Sequence, residues 1–144
     1  VVKKASVEIN NKVEGKINAG YVLFVGFCNE DNEEIIDKMI KKIINLRILP
    51  DENDKTNLSI LDKKQEILSI PQFTLYANCK KGNRPSFIES MHPDSASDLF
   101  NLFNLKIKKI SNLKIETGIF KSNMLVKLEN NGPFTILLDS KDLF

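Results

Sequence analysis

Three stretches of this 144-residue chain carry residue types that could do chemistry together. Pro71-Gln72-Phe73-Thr74-Leu75 closes an apolar run, Ile67-Leu68-Ser69-Ile70, with a proline, an amide, an aromatic ring and a hydroxyl. Such an ending puts polar groups at the edge of an element, where chains usually place function. A polar, basic loop follows it, Asn78-Cys79-Lys80-Lys81-Gly82-Asn83-Arg84-Pro85. The third stretch, Asn130-Asn131-Gly132-Pro133-Phe134-Thr135, is a Gly-Pro turn between two apolar runs. Read singly, the first and third are a strand end and a turn. Their order and spacing say more.

Conventional catalytic machinery is missing. The one histidine, His92, stands beside Pro93 in a loop and reads as solvated. Cys79 has no His or Asn-like partner at a recognisable spacing. No Gly-rich phosphate loop, paired acidic motif or metal-ligand cluster is present, so neither a metal nor a cofactor is expected. What remains is backbone dipoles, amides, hydroxyls and the substrate's own groups. An oxyanion hole of main-chain N–H donors needs no special side chain and supplies on the order of a few kcal/mol of transition-state stabilisation. Phe73 and Thr74, at a strand end, are placed to offer such donors.

Composition sets the frame that must hold these stretches. A hydrophobic share of 42% and a charged share of 28% are those of a soluble globular protein. The length suits one domain, residues 1–144, with a core that needs no staple. The first residue is Val rather than Met and lies inside an apolar pattern, so a few residues are expected upstream. A net charge of +2 is too small for a general nucleic-acid binder and points away from DNA, although charge can cluster locally. Cys28 and Cys79 lie far apart without a CxxC, and free thiols suit a reducing cytoplasm. No apolar run reaches the ~20 residues of a membrane span, and no signal peptide opens the chain.

Periodicity gives the elements. Val1-Val2 and Ala5–Ile9 read as strand, Asn10-Asn11 as a hairpin turn and Lys12–Ile17 as the returning strand. Tyr21–Phe27 is apolar almost throughout and predicts a central strand covered on both faces. Asp31–Asn45 predicts a helix with capping-box spacing at Asp31 and Glu34, and its isoleucines form one stripe. Short strands are expected at 46–49, 58–61 and 66–70, with a surface loop at 51–57. A second helix starts at Pro93-Asp94-Ser95, capped by Asp94 or Ser95, with Ala96, Leu99, Phe100, Phe103, Ile107 and Ile110 on one face. Leu102 and Leu105 lie off that stripe, either facing a partner or simply exposed. Strands are expected at 113–117, 124–128 and 134–138. Strands interleaved with two helices give an α/β class with antiparallel hairpins at both ends.

The first stretch is similar to the SQFTL motif of the D-aminoacyl-tRNA deacylases, and Asn130–Thr135 resembles that family's NxGP(V/F)T motif. Lys80–Phe87 matches the family's KG-x-RPSF loop, while Gly118-Ile119-Phe120 with Met124 is similar to its GxFGAxM segment. Ala5-Ser6-Val7 and Leu137–Ser140 fit the family's two ends, so the resemblance covers nearly the whole chain. It implies a fold of packed mixed and antiparallel sheets with a barrel-like core and two helices on one side. It also implies a homodimer whose active sites lie at the interface, with a cis Gly132-Pro133 entering the partner's pocket.

The implied reaction is hydrolysis of the ester joining a D-amino acid, or glycine, to the 3′ end of tRNA, a proofreading step of translation. By the same resemblance, Gln72, Phe73 and Thr74 hold the scissile carbonyl and the terminal ribose as the catalytic group. The Gly132 and Pro133 carbonyls take the amino group and exclude an L side chain, with Pro71, Asn130, Phe134 and Thr135 completing the substrate site. Phe120 and Met124 pack against adenine, and Lys80, Lys81 and Arg84 meet acceptor-stem phosphates. Thr74 has no base beside it in the sequence, which favours water activated with help from the ribose 2′-OH. Two positions depart from the family: Pro71 replaces its usual Ser, and Val1 stands where it carries Arg. A non-catalytic tRNA-end or small-ligand binding module, and a relaxed enzyme acting on mischarged L-Ala-tRNA, remain the alternatives.

Overall fold

The computed structural model describes residues 1–144. Strand β1 (Val2–Ile9) turns through Asn10 and Asn11 into β2 (Lys12–Ile17). Both asparagines have positive φ, 51° and 62°, the geometry of the tight hairpin that the sequence predicts. Gly20 then opens β3 (Gly20–Val25) at φ +156°, and a Cβ there would sit 1.8 Å from the Glu66 carbonyl oxygen. Only glycine lets β3 approach β6 (Glu66–Pro71) at that point. β3 and β6 run parallel, as do β6 and β7 (Ile115–Thr117), whereas β8 (Leu125–Asn130) lies antiparallel on β1. The sheet order is β2-β1-β3-β6-β7, with β8 on the other side of β1. A Cβ on Gly15 would lie 3.3 Å from the Glu116 side chain, so β2 curls back against β7 and the mixed sheet nearly closes into a barrel. A short ribbon, β4 (Leu49–Pro50) with β5 (Thr56–Leu58), stands apart.

Two long helices, α1 (Glu33–Asn45) and α3 (Pro93–Ser111), cover one face together, as the α/β reading requires. Ile36, Ile40, Ile43 and Ile44 of α1 meet Ala96, Phe100, Phe103 and Ile107 of α3 in the larger core. A second apolar cluster, with Val7, Ile17, Leu68 and Ile70, fills the space between β1, β2 and β6. Two four-residue helices, α2 (Ile60–Lys63) and α4 (Ser140–Leu143), add to the pair expected.

Several expectations change at this level. Ser59 does not continue a strand over 58–61; it caps α2 in a reciprocal capping box with Asp62, and local side-chain bonding wins over the apolar pattern. Asn32, not Asp31, caps α1, because the Asp31 carboxylate is engaged by the Cys28 N–H at 2.8 Å. α3 is capped by His92 rather than by Asp94 or Ser95, the imidazole accepting from the Asp94 N–H with Pro93 at the first helical position. Ile110 is 54% exposed and lies outside the buried stripe of Ala96, Phe100, Phe103 and Ile107. β3 is covered on both faces only in part: Tyr21, Leu23 and Val25 pack into the helix-side core and Val22 against the second cluster, while Phe24 is 42% exposed. Finally, Phe134–Leu138 forms no ladder. The Asn130 carbonyl side-chain oxygen takes the Phe134 N–H at 2.8 Å, and the chain leaves the sheet there.

Candidate active site

β6 ends at Pro71, and the chain folds at once into a 3₁₀ turn, Phe73–Tyr76. The Gln72 N–H donates to the Val25 carbonyl at 2.8 Å, which ties the start of the turn to the end of β3. In a parallel ladder alternate N–H groups face opposite neighbours, so residue 71 faces β7. Pro71 has no N–H, and the β6–β7 ladder stops with the Gly118 N–H on the Ser69 carbonyl at 2.8 Å. The 3₁₀ turn therefore lies beyond the β6–β7 ladder, with Phe73, Thr74 and Leu75 all exposed.

Within it, the Gln72 side-chain amide donates to the Thr74 hydroxyl. The Thr74 hydroxyl has no histidine or carboxylate partner. Leu75 N–H returns to the Gln72 carbonyl at 3.3 Å and Ala77 N–H to Thr74 at 3.0 Å. Phe73 N–H and Thr74 N–H, by contrast, head the turn, where the first donors of a helix have no internal acceptor. Two adjacent main-chain donors without an internal acceptor can stabilise an oxyanion.

The Gly-Pro loop is built by one side chain. Asn130, the last residue of β8, accepts from Phe134 N–H and donates to the Thr135 hydroxyl at 2.7 Å. These two bonds span Asn131, Gly132 and Pro133, whose Gly132–Pro133 peptide is cis. Gly132 has φ +135°, a conformation that disfavours any side chain. Asn131 N–H donates to the Val1 carbonyl at 2.8 Å, fastening the loop to the start of β1. Gly132 and Pro133 themselves are exposed.

The two motifs border one apolar groove of about 630 Å³. It is lined by Leu75–Ala77, by Asn130 with Phe134–Lys141, and by residues of β3 and α1. Leu75 of the first motif and Asn130, Phe134 and Thr135 of the second line it, whereas Phe73, Thr74, Gly132 and Pro133 do not. The phenol of Tyr76, which lines the groove, is pushed well above its ordinary pKa, chiefly by burial, and burial also pushes up the thiol of Cys28, which does not line it. Both stay protonated at neutral pH, so Cys28 is no thiolate nucleophile.

The remaining expected residues separate. A Cβ on Gly118 would meet the Met124 sulfur at 2.6 Å and Pro71 Cδ at 3.3 Å, so Met124 sits against Gly118 beside the strand end. Phe120 turns the other way and packs toward the core, its ring centroid 6.2 Å from that of Phe100. Lys80, Lys81 and Arg84 are exposed on a loop closed by paired Asn78 and Ser86 bonds of 2.7 and 2.8 Å, and none engages a carboxylate. No group of three His, Cys, Asp or Glu side chains could hold a metal ion, and no helix is long and apolar enough to cross a membrane. The sequence did not single out Ser90, whose hydroxyl donates to the Phe73 carbonyl at 2.9 Å. It stands outside every motif quoted above, and only the fold brings it to the turn.

A family model described as D-Tyr-tRNA(Tyr) deacylase matches residues 1–139. A D-aminoacyl-tRNA deacylase of Aquifex aeolicus (strain VF5) is 52% identical over 142 residues, which is 99% of this chain and 95% of that protein. A solved structure described as c-Myc DNA Unwinding Element Binding Protein has a TM-score of 0.91 at 35% identity, covering 96% of this chain and 93% of its own. A probable eukaryotic D-amino acid tRNA deacylase shares the fold with a TM-score of 0.80 at 13% identity, over 90% of each chain.

Proposed function

The chain belongs to the D-Tyr-tRNA(Tyr) deacylase family, and from that premise we propose how its geometry serves the reaction. It is a hydrolase that cleaves the ester of D-aminoacyl-tRNA, releasing the D-amino acid and free tRNA. The observation that carries this reading is the full-length match to a D-aminoacyl-tRNA deacylase at 52% identity.

Water adds to the ester carbonyl, and the tetrahedral oxyanion is held by the Phe73 and Thr74 N–H groups. The C–O bond to the ribose then breaks, and the proton released by water passes to the leaving ribose oxygen. The neighbouring ribose 2′-OH assists, since no side chain at the turn is a base. Gln72 holds the Thr74 hydroxyl and so shapes the wall of the pocket. The Gly132 and Pro133 carbonyls, entering from a second copy, accept from the substrate ammonium and leave no room for an L side chain. Discrimination then comes from collision with the wrong enantiomer, and glycine, with no side chain, passes.

The homodimer in this proposal is supported by the exposed groove residues Phe24, Leu75, Ile136 and Leu137, the last 82% exposed. Pro71 and Met124 border the adenosine, with Phe120 behind them, while Asn130, Phe134 and Thr135 hold the Gly-Pro loop. Lys80, Lys81 and Arg84, free of ion pairs, meet acceptor-stem phosphates. We place the enzyme in cytoplasmic proofreading of translation, acting on RNA and not DNA.

The test is deacylation of matched D-Tyr-tRNA, L-Tyr-tRNA, Gly-tRNA and mischarged L-Ala-tRNA by purified protein, with duplex DNA as a competitor. Loss of the D and glycyl esters with L-Tyr spared is expected. Cleavage of L-Ala-tRNA as well would mean a relaxed chiral gate. Binding of tRNA without turnover of any ester would reduce the protein to a binding module.

A further inference from the structure

We propose that Ser90 is a positioning residue for hydrolysis: by holding the Phe73 carbonyl, it aims the Thr74 N–H at the developing oxyanion. This rests on the reading of the Phe73–Thr74 backbone as the carbonyl-binding group. The Phe73 C=O and the Thr74 N–H belong to a single peptide unit. That unit is planar and its two groups point in opposite directions, so fixing the oxygen fixes the N–H. Ser90 Oγ donates to the Phe73 oxygen at 2.9 Å, a full-strength geometry for a hydroxyl donor. A donor on the carbonyl also polarises the peptide and strengthens its N–H as a donor in turn.

The turn needs such a brace. It is one 3₁₀ turn of four residues with poor internal hydrogen-bond geometry, and no side chain caps its start. Phe73 is 52% exposed, so burial does not hold it. The segment that carries Ser90 is itself well anchored. Ser90 pairs with Cys28 in an isolated antiparallel bridge, its N–H donates to the Phe87 carbonyl at 3.0 Å, and Met91 N–H donates to the Phe27 carbonyl at 2.9 Å. The same segment supplies Phe87, whose ring meets the Phe73 ring edge-on at 5.1 Å. Ring and carbonyl of Phe73 are thus gripped from one side by a short stretch fastened to the chain that follows β3. One residue earlier, the Gln72 N–H on the Val25 carbonyl ties the Pro71–Gln72 peptide to the end of β3, so the turn is anchored just before Phe73 as well as at its carbonyl. Preorganisation of this kind costs no reorganisation at the moment of reaction.

The experiment compares wild type, Ser90→Ala and Ser90→Thr in single-turnover hydrolysis of D-Tyr-tRNA over a range of enzyme concentrations. The Thr74 amide is followed by ¹⁵N–¹H NMR in each protein. Ser90→Ala is expected to lower the saturating rate about tenfold, the order of one hydrogen bond, with half-saturation unchanged within about twofold. Ser90→Thr, which keeps the hydroxyl, is expected to restore the rate, and the Thr74 amide resonance should shift in the Ala variant alone. A wild-type saturating rate in Ser90→Ala, a loss confined to half-saturation, or an unmoved Thr74 amide would each overturn the role of Ser90. A wild type inert toward every D-aminoacyl and glycyl ester would instead overturn the reading of the turn as the carbonyl site.

Discussion

Thr74 shows how a residue's neighbours decide its role. A threonine in a deacylase invites the role of nucleophile, yet its hydroxyl is occupied by the Gln72 amide and no base adjoins it. An unactivated hydroxyl is a weak nucleophile, whereas the N–H of the same residue needs no activation. Thr74→Ala is therefore expected to keep the saturating single-turnover rate within about tenfold of wild type, since deleting a working nucleophile costs on the order of 10⁴-fold or more. A loss of that larger size with tRNA binding intact would make the hydroxyl a chemical participant. The residue types of the turn were legible in the sequence. So was the possibility that Phe73 and Thr74 offer main-chain donors; what holds them was not, because it depends on where Pro71 ends the ladder and on Ser90 reaching the Phe73 carbonyl.

At the scale of the element, β3 ties the helix-side core to the groove. Tyr21 points into the core with its hydroxyl buried and lacking a hydrogen-bond partner, and that burial pushes the phenol pKa up to about 12. The sign of the pH effect follows. The folded-state pKa is raised, so the unfolded phenol ionises first, near 10. The contribution is complete below pH 10 and is lost as the pH rises through about 12. The loss amounts to roughly 2–3 kcal/mol of folding stability. Tyr21→Phe should remove this loss and, by deleting an unsatisfied hydroxyl, leave stability at pH 7 equal or up to ~1 kcal/mol higher. Urea midpoints of the two proteins at pH 7, 10 and 11.5 check both statements; identical alkaline losses would refute the assignment to Tyr21. The apolar run of β3 was plain in the sequence. That Phe24 would stay exposed was not, because an apolar run looks the same whether a helix, a sheet or a second copy of the chain covers it.

At the scale of the molecule, residues of both motifs line one apolar groove, and Leu137, 82% exposed, lies on its margin. In the proposed reaction the Gly-Pro loop reaches the substrate from a second copy, and an exposed apolar margin is where such a copy would dock. Leu137→Asp, which puts a charge on that apolar margin, is expected to give a monomer in sedimentation and to lower deacylation at least about 100-fold. Its folded core should be unchanged, since Leu137 packs against nothing in the protomer's interior. A monomeric variant with wild-type turnover would show that each subunit works alone.

The sequence by itself determined the α/β class, the β1–β2 hairpin with its paired asparagines, the stripes of both long helices and the family. These are local periodicities and ordered motifs, which survive in one dimension. It failed where short-range side-chain bonds overrode pattern, as when Ser59 caps a helix in an apolar run and Asn130 draws the Phe134 N–H away from a ladder. Only the tertiary structure decided that β2 curls back onto β7, that Phe120 packs toward the core while Met124 stays at the strand end, and that Ser90 reaches the Phe73 carbonyl. Such contacts join residues far apart in the chain. Their partners are chosen by the closure of the sheet and the placing of loops on it, to which neither propensity nor spacing is sensitive.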